Sequence, residues 1–370
     1  MIRIIGVGDI MPGGLLSDSD QPCVEKEVLD LLLEGDIRCG TLECAFGNSP
    51  TFDEEKVADR GNVIYAKDKD ICRLKEMHID VVTLANNHFF DLGTKGARHT
   101  VELLESEGIL HCGAGDNLEE ASKPAVVEIN GKKIAFVGFC DTEYSHVYWC
   151  TYATEDTPGV NPMTKKHVVE VIKNNALLYD YVVVLAHWGS EHTFTPNVST
   201  NKMARLMLDA GACLVLGSHP HRIQPIINTK KGSIVYSMGN FLFPERLIAP
   251  PKVTWYPDGP IDYSSLPITE GYPKVKCVTL KTLPFWARVG LIVRSTLDES
   301  DPELCAVSNY SFSYLNGSNC ISLLDNRESR IAKRKIVFWA MLIRSGFFRP
   351  YMFLRRVFFA LFSRIKRIIK

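Results

Sequence analysis

The segment Ala210-Gly211-Ala212-Cys213-Leu214-Val215-Leu216 is a short apolar run that leads directly into Gly217-Ser218-His219-Pro220-His221. A run of that length and character reads as a buried strand. It ends in a Gly-Ser turn and then presents two imidazoles separated by one proline, which fixes the local backbone and removes a donor. Two histidines at a strand end suit metal ligation. Taken alone they also suit a surface loop or a packed pair, so their meaning depends on what the other strands deliver.

Working outward, the same rhythm recurs. The opening strand Ile2-Arg3-Ile4-Ile5-Gly6-Val7-Gly8 ends in Asp9, and a strand over 36–42 ends in Glu43. Ile79 to Leu84 is followed by Ala85-Asn86-Asn87-His88, with Asp91 three residues on. Tyr181 to Leu185 ends in Ala186-His187-Trp188-Gly189-Ser190-Glu191-His192. Helices over about 23–33, 94–107, 165–176 and 199–210 separate these strands, with further strands over 133–139 and 233–236. Residues 140–162 read as a loop. A lone turn Asp or an Asn-Asn-His cap would be ordinary. Five strands each ending in a potential ligand are not what packing alone requires, and α/β sheets carry their sites at the carboxyl ends of strands. Carboxylates, an amide oxygen and imidazoles together suit Mn²⁺, Fe²⁺ or Zn²⁺ rather than Ca²⁺. The set exceeds what one catalytic Zn²⁺ uses and fits two ions sharing a carboxylate.

Composition sets the surroundings. The 370 residues are 46% hydrophobic and 23% charged, which is ordinary for a globular chain. Residues 333–370 hold eleven Lys or Arg and no acid, leaving 31 basic against 43 acidic groups elsewhere. An acidic body with basic charge confined to one end is not a nucleic-acid binder. Eleven cysteines without a CxxC pair point to reduced thiols and a cytoplasmic location. The strand directly after Met1 argues against a signal peptide. His78, His99, His111, His146 and His167 lie outside the strand-end motifs and read as surface or loop residues.

The ordered set Gly8-Asp9, Leu42-Glu43, Ala85-Asn86-Asn87-His88, His187-Trp188-Gly189-x-Glu191, Gly217-Ser218-His219-Pro220-His221 and Tyr236-Ser237-Met238-Gly239-Asn240-Phe241 resembles the CapA family of capsule and poly-γ-glutamate synthesis proteins. That family's domain is similar to the calcineurin-like metallophosphoesterases, and the match spans roughly residues 1–245. The resemblance implies an α/β (α+β) fold, a four-layer αββα sandwich with two mixed sheets, in a domain over 1–325. It also implies two divalent transition-metal ions. Glu43 would bridge them, Asp9 and His221 would complete one site, and Asn87, His187 and His219 the other. His88 would face the substrate as proton donor, with Asp91 orienting it. Glu191, His192 and Asn240 are the candidate substrate contacts; Asn240 also suits a supporting turn and His192 a partly exposed structural residue. The activity implied is phosphoester-type hydrolysis by a metal-bound hydroxide. Met11 stands where the wider phosphoesterase pattern has a histidine, and Glu43 where it has Asp. These departures keep two alternatives open: a non-hydrolytic metal-containing assembly factor, and amide or carboxylate chemistry on a glutamate polymer. The partners expected are a polymer or phosphorylated small-molecule substrate and the surface-polymer synthesis machinery.

Beyond residue 245, the Pro, Gly and Tyr density over 249–275 predicts a long irregular excursion that suits a lid. Residues 275–283 and 288–294 read as a hairpin, and 304–314 as a strand. From Ile331, apolar clusters alternate with arginines, predicting two short basic helices broken near Pro350. Their composition suits the anionic inner face of the cell membrane, where the tail 331–370 would hold the protein peripherally. Docking on the body is the alternative.

Overall fold

The computed structural model describes residues 1–49, 62–142, 150–250, 252–270, 275–297, 305–345, 348 and 350–352. Two mixed sheets dominate. The first runs in the order Ile321–Leu323, Ala306–Leu315, Val289–Leu297, Ile2–Ile10, Ile37–Leu42, Val81–Thr83 and Leu110–Cys112, and the short strand Asn240–Leu242 pairs with the end of Ile2–Ile10. The second runs Pro162–Met163, Lys132–Asp141, Tyr181–His187, Leu214–Ser218, Gly232–Val235 and Ile226–Thr229, with Ala125–Ile129 paired to Lys132–Asp141. In both sheets the central strands are parallel, so their carboxyl ends share one edge.

Side-chain alternation along the strands builds the layers. Ile2 and Ile4 face the second sheet and meet Phe136, Val183, Leu185, Leu214 and Leu216 in a buried inter-sheet core. Ile5 and Val7 point the other way, onto Val28 and Leu32 of the helix Lys26–Leu33 and Leu104 of the helix Gly93–Ser106. Val182, Val184 and Ala186 cover the opposite outer face, against Val168 and Ile172 of Lys165–Leu178 and Met207 and Leu208 of Val198–Ala210. Helix, sheet, sheet and helix therefore stack in four layers, the αββα arrangement expected from the resemblance. Strands buried on both faces read as near-continuous apolar runs, which is why Tyr181 to Leu185 and Ala210 to Leu216 stand out.

The C-terminal third departs from the reading in one pairing. Thr279–Lys281 does not form a hairpin with the next strand. It joins Arg246–Ala249, Val253–Trp255 and Ile268–Thr269 in a small four-stranded sheet. A 3₁₀ turn over Phe285–Ala287, closed by Ala287 N–H on Pro284 O at 2.8 Å, redirects the chain. Val289–Leu297 then pairs with the opening strand and with Ala306–Leu315. The excursion over 249–275 thus contains strand segments of this small sheet among its irregular backbone.

The helix Asn326–Arg344 begins at an Asp325 cap, whose carboxylate accepts from Arg327 N and Glu328 N at 2.7 and 2.8 Å. Ala332 and Ile336 are buried at the edge of the inter-sheet core, and Ile343 and Phe348 in the outer core of the second sheet. Lys335 Nζ lies 4.3 Å from the Phe194 ring centre and 4.7 Å from that of Trp286. The described part of the tail is therefore docked on the body through one face, while Val337, Phe338 and Met341 remain exposed on another. Residues 353–370 lie outside the described residues, as do 143–149 with His146. Among the described residues no helix is long and apolar enough to cross a membrane.

One close approach fixes the opening strand at the site edge. A Cβ on Gly8 would sit 1.8 Å from the Gly239 carbonyl oxygen, and the neighbouring Asp9 N–H donates to that same oxygen at 2.9 Å. Gly8→Ala should lower the free energy of unfolding by about 3 kcal/mol, read by chemical denaturation. A change below about 0.5 kcal/mol, the range of an ordinary surface substitution, would show that the two strands are not held this closely.

Candidate metal centre

The strand ends bring the ligand-type side chains together where the two sheets meet. Asp9 stands in register with Thr41 and Asn240, so Glu43 follows two residues beyond that level, just past the end of the adjoining strand Ile37–Leu42. Asn87 and His88 follow Val81–Thr83, and Asn86 Nδ2 anchors their loop on the Leu42 carbonyl at 2.7 Å. On the second sheet His187 is in register with Ser218, and His219 and His221 lie just beyond. Gly217 allows this crowding, since a Cβ there would meet Tyr236 O at 2.2 Å.

His219 and His221 carry φ of +89° and +48° on either side of Pro220. Left-handed backbone at a non-glycine residue costs of the order of 1–3 kcal/mol and persists only where its surroundings impose it. Here His219 N–H donates to Asp9 Oδ2 at 3.2 Å, and Pro220 O accepts from His192 N–H at 2.7 Å. The turn holds its two imidazoles toward the carboxylates from the first sheet.

The donor atoms fall into two groups. Glu43, His187 and His219 form one, and Asp9, Glu43 and His221 the other, with the offered atoms of each within 4.8 Å of one another. Glu43 belongs to both. Asn87 Oδ1 joins the first group, 2.8 Å from His187 Nε2, which is also 3.0 Å from His219 Nδ1. His221 Nδ1 is 3.5 Å from Asp9 Oδ2, and its Nε2 is 3.5 Å from Glu43 Oε1.

Neighbouring groups set the imidazole tautomers. His187 Nδ1 lies 3.0 Å from Ser218 Oγ, which accepts from Thr41 Oγ1 at 2.9 Å. With Nδ1–H donating to Ser218, Nε2 keeps its lone pair for the cluster. His221 Nδ1–H donates likewise to Asn240 Oδ1 at 2.7 Å, and Asn240 Nδ2 is fixed by the Ala287 carbonyl at 2.8 Å.

Asp9 and Glu43 are fully buried, and Asp9 Oδ1 and both Glu43 carboxylate oxygens lack a hydrogen-bond partner. Burial pushes the Asp9 carboxyl up to about 7, against hydrogen bonding from His219. Glu43 is driven well above the ordinary carboxylate range by burial first, then by the charges of Asp9 and Glu191. Burial also pushes His221 down to about 4. Each group is thus forced toward its neutral form, at a cost that a buried charge imposes unless paired. Bound cations invert this logic, and carboxylate oxygens without hydrogen donors beside imidazole nitrogens in two groups fit a pair of borderline divalent ions.

His88 and Asp91 stand beside the cluster. His88 Nδ1–H donates to Asp91 Oδ2 at 2.7 Å, and that oxygen also accepts Ile64 N–H at 2.7 Å. His88, Glu191, His192, His221 and Asn240 line one cleft of about 160 Å³ over the cluster. Asn240 touches the cleft, yet both ends of its amide are committed to His221 and Ala287. His192 is half-exposed, with Nε2 3.6 Å from Glu191 Oε2. Met11 is fully buried in the outer core of the first sheet. The reading missed Ser218 as the partner of His187, although it lies inside the motif. It also missed Arg222, Arg246 and Lys281 in the cleft wall. The last two come from the small sheet, which has no strand-end signature.

The sign of the pH dependence follows. The folded metal-free protein holds protons on Asp9 and Glu43 that the unfolded chain releases near pH 4, so these groups cost stability as pH rises toward and past 7. His221 opposes this only between about 4 and 6.5. Between pH 6.5 and 8 the metal-free protein should therefore lose stability. Glu43→Gln should reduce that loss and stabilise the metal-free protein at pH 8 by about 1–3 kcal/mol, while abolishing uptake of Mn²⁺ or Zn²⁺. Denaturation of the two proteins with and without metal checks this, and a destabilised metal-free variant at pH 8 would contradict it.

Comparison with known proteins gives the family of the chain. The profile of the bacterial capsule synthesis protein family PGA_cap matches residues 3–245. The capsule biosynthesis protein CapA of Bacillus anthracis is 32% identical over 252 residues, 64% of this chain and 58% of that protein. The PGA biosynthesis protein CapA of Bacillus subtilis is 32% identical over 243 residues, 64% of this chain and 62% of that protein. The chain thus spans about three fifths of the length of these relatives. A putative 5'-nucleotidase from Staphylococcus aureus, solved with alpha-ketoglutarate, aligns at TM-score 0.47 and 13% identity over 90% of this chain and 58% of its own. The matched segment contains every strand-end side chain of the cluster, and the chain belongs to the PGA_cap family of bacterial capsule synthesis proteins.

Proposed function

We propose that this protein is a dinuclear metal-dependent hydrolase of capsule or exopolymer biosynthesis, with phosphoester-type chemistry. The observation that carries the reading is the burial of Asp9 Oδ1 and both Glu43 carboxylate oxygens without hydrogen-bond partners, at the point where three imidazoles converge. Asp9, Glu43 and His221 would hold one ion, and Glu43, Asn87, His187 and His219 a second; Mn, Fe and Zn all suit this donor set. Such a pair supplies Lewis acidity toward a phosphoryl group and lowers the pKa of water.

The remaining work falls to side chains in the cleft. Asp91 fixes the His88 ring through Nδ1–H, which leaves Nε2 as the atom that would pass a proton to the leaving oxygen. Ser218 and Asn240 keep His187 and His221 in the tautomers that ligation requires. Burial of the cluster excludes bulk water and strengthens each of these interactions.

The protein would act at the cytoplasmic face of the cell membrane. Residues 353–370 carry Arg355, Arg356, Arg364, Lys366, Arg367 and Lys370 among aromatic and aliphatic residues, with no acid. The docked helix adds exposed Phe338 and Met341. This composition supports binding to an anionic lipid surface.

Two outcomes test the reading. His88→Ala should retain its metal and lose at least about a hundredfold in turnover of a phosphoester panel; unchanged turnover would remove His88 from the chemistry. If metal-loaded wild type turns over no phosphoester at all, the assembly-factor reading replaces hydrolysis. For the tail, removal of residues 353–370 should abolish binding to vesicles containing anionic lipid, and retained binding would contradict the membrane assignment.

A further inference from the structure

The helix Asn326–Arg344 reaches the supports of the metal centre through one side chain. Lys335 is half-buried, and its Nζ lies 4.3 Å from the centre of the Phe194 ring and 4.7 Å from that of Trp286. Those two rings meet edge to face with their centres 5.4 Å apart. Phe285 backs Trp286 at 5.1 Å and itself packs on Tyr314 at 5.5 Å. Ala332 and Ile336 of the same helix are buried in the inter-sheet core, against which Phe194, Phe285 and Trp286 also pack. An ammonium over two rings, with its stem along an apolar wall, is a partly desolvated cation–π contact, and such contacts strengthen as water is removed.

Phe194 and Trp286 come from separate segments, and each segment holds His221. Phe194 closes the stretch Glu191-His192-Thr193-Phe194. There His192 N–H donates to Pro220 O at 2.7 Å, and Thr193 O accepts from Gln224 Nε2 at 2.9 Å. Pro220 and Gln224 lie on either side of His221, so this stretch holds the backbone of the turn. Support there matters, because His221 has a φ of +48° and strained backbone persists only where its surroundings impose it. Trp286 precedes Ala287, whose carbonyl accepts from Asn240 Nδ2 at 2.8 Å. Asn240 Oδ1 in turn accepts His221 Nδ1–H at 2.7 Å, so this second segment holds the ring. His187, in the other ligand group, is fixed differently. Its Nδ1 meets Ser218 Oγ, which accepts from Thr41 Oγ1, and both of those residues belong to strands.

We propose that Lys335 is a positioning residue for the ion site of Asp9, Glu43 and His221, acting through Phe194 and Trp286. The proposal rests on the metal-centre reading and is independent of the reaction carried out there. The ammonium draws both rings to one point on the helix, so the backbone and the ring of His221 share a single anchor. A neutral side chain of similar shape keeps the apolar wall and loses that attraction. Groups that directly orient a metal-binding imidazole contribute about 10–100-fold in affinity. Lys335 stands further out than such a group, so a loss of about fivefold is expected at its site.

Titration calorimetry of the metal-free protein with Mn²⁺ tests this, with His221→Ala identifying the binding step that belongs to His221. Lys335→Met should weaken that step about fivefold and change the other by less than about twofold. Lys335→Arg, which keeps the cation, should retain wild-type affinity. Unchanged affinity in a Lys335→Met protein that merely unfolds more easily makes Lys335 a structural contact and overturns the proposal. Equal weakening of both steps overturns the link to His221, and an arginine variant as weak as the methionine variant overturns the cation–ring basis. If Lys335→Met does not fold, the wild type decides. By reciprocity, Mn²⁺ should slow amide exchange over residues 332–339 about fivefold; unchanged exchange there, with the strand ends protected, overturns the proposal. Wild type that takes up no Mn²⁺ fails the metal-centre reading and the proposal with it, whereas an unchanged Lys335→Met protein fails the proposal alone.

Discussion

Two buried carboxylates, Asp9 and Glu43, with three of their four oxygens lacking a hydrogen donor, set the terms for the rest of the molecule. Several kcal/mol oppose burying such groups unless an opposite charge accompanies them. The fold accepts this because the cost is confined to one edge. The parallel strands of two sheets end there together, and the packed core between the sheets fixes those ends relative to each other. A metal pair would turn the penalty into binding energy, since ligation requires deprotonated carboxylates and neutral imidazoles.

The same constraint explains the supporting detail. His219 and His221 occupy left-handed backbone that only dense packing can impose. Gly8 and Gly217 have no room for a side chain, because the carbonyls of Gly239 and Tyr236 approach their Cα atoms closely. Ser218 and Asn240 use their hydrogen-bonding capacity on the outer nitrogens of His187 and His221. Each of these features gives up local freedom or stability to direct a lone pair inward. Together they are the features that a preorganised ligand cage would require.

Much of this was legible in the residues, for physical reasons. Strands buried on both faces announce themselves as apolar runs, and parallel topology then dictates that whatever follows them gathers at one edge. Asp9, Glu43, Asn87, His187, His219 and His221 could be located on that basis. Long-range pairing was less legible. The sequence around Thr279–Lys281 carries strand character but not the identity of its partner, and Phe285–Ala287 turns the chain away from the expected hairpin. Arg246 and Lys281 meet only through that pairing, so nothing in their local sequence places them in the cleft. The helix Asn326–Arg344 shows a similar limit. Its basic, aromatic composition predicts an interfacial segment, yet the helix buries Ala332, Ile336 and Ile343 against the body and leaves a second apolar face outside.

The central claim is that Glu43 lies between two ions held by different imidazoles. Anomalous diffraction from crystals of the Mn²⁺-loaded protein tests it most directly. The account predicts two peaks flanking Glu43, one bounded by Asp9 and His221 and the other by Asn87, His187 and His219. A single peak, or metal bound away from Glu43, would contradict it.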